Sequence, residues 1–149
     1  MQIDVYSLSE TRATLIERAI RFYSKYLGID RIKSSMFVRC RQGMRSKENL
    51  RGSISQYSSC NFVMHIDNKL PLHILLSTLA HEMVHAKQFI RGEIKLLKYR
   101  NGRTKYIWKG KESRVSYEKQ PWEEEAVSME VPMVNALMAE VHKNARKTK

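Results

Sequence analysis

Apolar residues recur at helical spacing early in the chain. Leu15, Ile16, Ala19, Ile20, Tyr23 and Leu27 fall on one face of a helix expected over Glu10 to Gly28. Ser9 suits its N-cap and Gly28 its C-terminal stop. Residues 32–40 then read as a strand, and the polar, basic stretch 41–52 reads as a loop. Residues 53–67 hold one or two strands. The clearest is Asn61 to Asp67, where Phe62, Met64 and Ile66 alternate with Val63 and His65. Asn68-Lys69-Leu70 makes a turn, and Pro71 opens a second helix that runs to about Arg91 and stops at Gly92. Asn101-Gly102 joins 94–100 to 103–109 as a β-hairpin with a two-residue turn. After a polar connection over 110–120, Pro121 opens a last helix from Trp122 to about His142, with a basic tail from about 143 expected to fray. The order helix, strands, helix, hairpin, helix is α+β. With 149 residues and no linker or repeat, a single domain over 1–149 is expected.

The second helix carries the chemistry. At about 100° per residue, Leu72, Leu75, Leu76, Leu79, Met83, Ala86 and Ile90 form one apolar stripe. His81 and His85 fall on the opposite side, near Ser77, Thr78 and Gln88. Histidines at i and i+4 stand one turn apart on one face, so both rings can reach a single metal ion. Glu82 points about 100° away from His81, where it can act as general base on a metal-activated water without itself being a ligand. In this composition the His-Glu-x-x-His spacing arises by chance about once in a hundred such chains.

A catalytic zinc needs a third protein ligand. The position six residues after His85 is Arg91, which excludes the three-histidine solution of metzincins. His142 lies beside the basic tail, His73 precedes the motif, and His65 sits on a strand that could line the site. The last helix offers Glu123, Glu124 and Glu125. Glu125 shares a face with Trp122, Met129, Met133 and Ala136. A buried carboxylate there needs a partner, so Glu125 is preferred. Glu123, above Val127, Glu130 and Val134, is the second candidate, and Glu124 looks solvent-facing.

The sequence HEMVHAKQ followed by PWEEEA resembles the small gluzincin-type metallopeptidases: the minigluzincins, the ImmA/IrrE-like proteins and short SprT-like or phage-encoded peptidase-like proteins. The resemblance spans about 61 to 130. It implies a zincin-like fold, with a small mixed sheet packed on the central helix. It also implies a Zn2+ cofactor held by His81, His85 and Glu125, with Glu82 as general base in peptide-bond hydrolysis. Two departures stand out. Met129 occupies the position where larger gluzincins carry an acidic partner for a ligand histidine, and no third histidine of the SprT kind is present. Tyr117 is the candidate oxyanion donor, with Tyr106 as an alternative. The strand Asn61 to Asp67 is the expected edge for an extended protein or peptide substrate.

Composition adds one consideration. The chain is 42% hydrophobic and 28% charged, an ordinary globular mixture, yet its formal net charge is +12. Such a charge suits an acidic partner. In the expected hairpin register Arg100 faces Arg103 and Lys98 faces Lys105, gathering four cations on one face of 94–109. That suits either a solvated cationic edge that resists aggregation or nucleic acid bound there, and it keeps open an alternative role as a non-catalytic nucleic-acid-associated or structural phage protein on a peptidase-like scaffold. No apolar run suggests a membrane span or a signal peptide, so a cytoplasmic setting with Cys40 and Cys60 as reduced strand thiols is expected.

Overall fold

A computed structural model describes residues 1–113 and 120–148. Helix α1 spans Glu10–Tyr26, α3 spans Leu72–Ile90 and α4 spans Pro121–Lys147; a short α2 covers Met44–Lys47. The strands are β1 (Gln2–Tyr6), β2 (Ser35–Arg41), β3 (Gly52–Ser58), β4 (Asn61–Asp67), β5 (Ile94–Lys98), β6 (Thr104–Trp108) and β7 (Lys111–Glu112). The α+β class is as expected. Three elements escaped the sequence pattern: β1, the single turn α2 and the two-residue β7.

The first sheet has the order β1-β2-β4-β3. β1, β2 and β4 are parallel, and β3 runs antiparallel to β4. β4 is therefore interior, and β3 is the edge beside it, which corrects the expected edge at Asn61 to Asp67. Alternation explains the layering. Ile3, Met36, Val38, Phe62, Met64 and Ile66 are buried in one core with Ile16, Ile20, Leu75 and Leu79 of the helices. The other sheet face is open, with Phe37 44% exposed on it. Cys60 lies in the turn between β3 and β4 rather than in a strand.

Both N-terminal helices end as their glycines demand. In α1, Ser9 caps by accepting the Arg12 N–H. At its other end Gly28 adopts φ +68°; its N–H reaches the Lys25 carbonyl while that of Ile29 reaches Ser24. Gly92 ends α3 in the same way, with bonds to Phe89 and, from Glu93, to Gln88. Arg91, at the excluded third-histidine position, donates to the Leu27 carbonyl at 2.7 Å and ties the ends of α1 and α3 together.

Helix α3 is buried on almost every side. Leu75, Leu76, Leu79, Met83 and Ala86 of the expected stripe are buried, but so are Ala80, Val84 and Gln88, while Leu72 at the start is exposed. The reason is α4, which packs against the side that the stripe leaves uncovered. α4 continues to Lys147, so the tail expected to fray from about 143 is helical. Among the described residues no helix is long and apolar enough to cross a membrane.

The hairpin differs by one residue from expectation. Its pairs are Ile94 with Trp108, Leu96 with Tyr106 and Lys98 with Thr104 on one face, and Lys95 with Ile107 and Leu97 with Lys105 on the other. The Tyr99 N–H donates to Arg103 and the Gly102 N–H to Tyr99, with Gly102 at φ +79°. This is a three-residue loop, 100–102, with glycine in the left-handed position, not a two-residue turn. A one-residue slip exchanges faces. Lys98 and Lys105 now lie on opposite faces, Lys105 pairs with Glu112, and the four-cation cluster does not form.

Gly52 marks the contact of edge strand β3 with α3. A Cβ there would lie 2.8 Å from Thr78 Cγ2 and 2.9 Å from Ile66 Cδ1. Gly52→Ala is expected to cost about 1–3 kcal/mol by overpacking. Urea unfolding should show this loss, and Thr78→Ser in the same chain should recover part of it. An unchanged midpoint would mean that β3 is not seated on α3 this closely.

Candidate metal centre

The two motif histidines project from one side of α3, and their rings meet edge to face with centroids 4.8 Å apart. Their Nε2 atoms are 3.1 Å apart. Glu123, in the first turn of α4, places Oε2 3.2 Å from His81 Nε2 and Oε1 3.2 Å from His85 Nε2. One nitrogen from each ring and the carboxylate all lie within 4.8 Å of one another.

The other ring nitrogens are held from behind. His81 Nδ1 is 2.8 Å from Glu130 Oε1, and His85 Nδ1 is 2.8 Å from Gln88 Oε1. The Gln88 amide orientation follows from its second bond, because Nε2 donates to the Trp122 carbonyl at 3.0 Å. Its oxygen must therefore face His85 and accept. Both Nδ1 atoms are thus donors in the neutral rings, which leaves the Nε2 lone pairs facing each other and Glu123. Rings anchored through one nitrogen and presenting the other are the arrangement a metal requires. Two imidazoles and one carboxylate are also a donor set suited to zinc. The residues therefore fit the ion, and Glu130 and Gln88 supply the orientation that Met129 does not.

Glu125 is not part of this cluster. It pairs with Lys87, which also holds Glu93 at 3.0 Å. The preference for Glu125 over Glu123 is corrected accordingly: the carboxylate brought to the histidines is Glu123. Glu124 is exposed, as its place on the wheel suggested. His65 lines a different crevice, and His73 and His142 are exposed. Tyr117 lies outside the described residues. Two contributors went unnoticed in the sequence, Glu130 and the anchoring role of Gln88. The available signal was the seven-residue spacing of Glu123 and Glu130, two helical turns on one side of α4.

A groove of about 230 Å³ opens over the cluster. Its walls include Gly52, Ser53 and Ile54 of edge strand β3, Ile94 and Tyr106 of the hairpin, and Trp122 with Glu123. The hairpin is set in place by its aromatic face: Tyr106 and Trp108 pack on Trp122 with centroids 5.1 and 6.1 Å apart. Glu82 is buried in the same groove, and burial pushes its carboxyl above the usual range, against the pull of His85 and His81. Burial opposes protonation of His81, but the Glu123 hydrogen bond, the Glu82 charge and Glu130 outweigh it and lift the ring to about 9. Burial likewise opposes ionisation of Glu123, yet the two histidines hold it at about 2.

These values predict the pH dependence of metal binding. In the metal-free protein His81 keeps its proton up to about 9, and an incoming metal must displace it. Apparent zinc affinity should therefore rise by about tenfold per pH unit below that value and level off above it. Competition against a chromophoric chelator from pH 6.5 to 9.5 measures this; a flat profile would contradict it.

No family model, curated protein or solved structure matches this chain, and what the centre can do has to be read from its own geometry.

Proposed function

We propose that the chain is a zinc-dependent metallopeptidase of the gluzincin type, with His81, His85 and Glu123 as metal ligands and Glu82 as general base. The observation that carries this is the convergence of both Nε2 atoms on the Glu123 carboxylate, beneath a groove that also buries Glu82. A zinc ion held by His81, His85 and Glu123 would lower the pKa of a water to about 7 and polarise a carbonyl oxygen. Glu82 would take the water proton as the water oxygen adds to the carbonyl carbon, and would give it to the amine nitrogen as the C–N bond breaks. Its buried setting favours this, because a raised carboxyl pKa brings a base nearer to working pH. Edge strand β3 offers backbone groups along the groove, to which an extended peptide can add as a further strand. Tyr106 also lines the groove, and its phenol is the candidate donor to a developing oxyanion.

Elemental analysis and a general protein substrate such as casein test this together. Wild type should carry about one zinc per chain. Glu123→Ala should weaken zinc binding by at least about 100-fold, whereas Glu125→Ala should retain it. Glu82→Gln should keep zinc and lose at least about 100-fold in hydrolysis. Zinc retained in Glu123→Ala, or hydrolysis undiminished in Glu82→Gln, would refute the assignment.

A further inference from the structure

A second crevice, of about 620 Å³, lies at the carboxyl ends of the three parallel strands. It shares no lining residue with the metal groove. In open α/β sheets this end of the strands is where ligands usually bind. Ser9, Arg12, Arg39, Arg41, His65 and Asn68 are among its walls. The strand register brings Tyr6, Arg39 and His65 into one row across β1, β2 and β4.

Two observations show what the crevice lacks. The first is charge. Asp67, close by, accepts the Arg45 and Lys69 backbone N–H groups at 2.8 and 2.9 Å, and Glu48 pairs with Arg41 at 3.2 Å. Arg12 donates to the Leu70 carbonyl at 3.0 Å, and Arg39 is exposed with no acidic partner among the described residues. The His65 ring responds to this surplus of cations: burial first, then Arg41 and Arg39, hold it below its ordinary value. The second is hydrogen bonding. Arg12 Nε, His65 Nδ1 and Asn68 Oδ1 are buried side-chain polar atoms with no hydrogen-bond partner among the described residues. Such groups are nearly always satisfied, and three in the walls of one crevice leave hydrogen-bonding capacity there that the fold itself does not use. The set combines donors with an acceptor. A phosphate monoester complements both, because it carries anionic oxygens and, in its monoanionic form, an O–H.

We propose that this crevice binds a phosphate monoester, with Arg12 and Arg39 as its cationic contacts. The group could be borne by a small molecule or by the 5′ end of a nucleic-acid strand.

Calorimetry at low salt separates the sources. The probes are inorganic phosphate and a thymidine strand of about ten nucleotides, with and without a 5′ phosphate. Inorganic phosphate and the phosphorylated strand should both bind saturably. Arg39→Ala should weaken each by about tenfold or more, with zinc content and circular dichroism unchanged, and Arg39→Lys should restore part of the affinity. A phosphorylated strand that binds more tightly than phosphate identifies the strand terminus as the source; equal affinities identify the small ester. Absence of saturable binding, strand binding indifferent to the 5′ phosphate, or affinity unaffected by Arg39→Ala would overturn the proposal.

Discussion

The amide of Gln88 joins two helices and orients an imidazole at once. Its nitrogen donates to the Trp122 carbonyl in the first turn of α4, and its oxygen faces His85 Nδ1. Gln88 is fully buried, so neither bond can be exchanged for water without cost. Because Trp122 immediately precedes Glu123, the bond that docks α4 also delivers the carboxylate to the histidines. Trp122 in turn receives Tyr106 and Trp108, so the hairpin wall of the groove depends on the same junction. Glu130, two turns along α4, completes the anchoring at His81. Docking of α4 and assembly of the centre are thus one event.

Much of this was legible in the sequence, and the part that was not has a geometric cause. The His81-Glu82-x-x-His85 motif, its helix and both glycine stops follow from local spacing, and they appear where spacing puts them. The third carboxylate could not be chosen that way. Trp122, Ala126 and Met133 form the buried stripe of α4. At about 100° per residue, Glu125 lies roughly 80° to one side of that stripe and Glu123 roughly 80° to the other. A helical wheel treats the two flanks as equivalent. What separates them is tertiary: one flank meets Lys87, the other meets the histidines.

The sheet shows the same division. Local pattern marked β2 and β4 as strands and set Phe62, Met64 and Ile66 on one face of β4, with Val63 and His65 on the other, but strand order is a long-range property. β1 is only five residues long and has a partner only because α1 carries the chain back alongside it. Its presence makes β2 interior, while the pairing of β3 with β4 makes β4 interior and leaves β3 as the edge over the groove. The hairpin register turned on whether Gly102 served as the second residue of a two-residue turn or as the left-handed third of a longer loop. The longer loop places Ile94, Leu96, Tyr106 and Trp108 on one face and lets the two aromatic residues pack on Trp122.

Anomalous diffraction at the zinc absorption edge, from crystals grown with zinc, tests the central claim most directly. The account predicts one strong site, bonded to His81 Nε2, His85 Nε2 and a Glu123 oxygen at about 2.0–2.2 Å, with both Nδ1 atoms still held by Glu130 and Gln88. Zinc bound through an Nδ1 atom, zinc bound by Glu125, or no ordered zinc between α3 and α4 would contradict it.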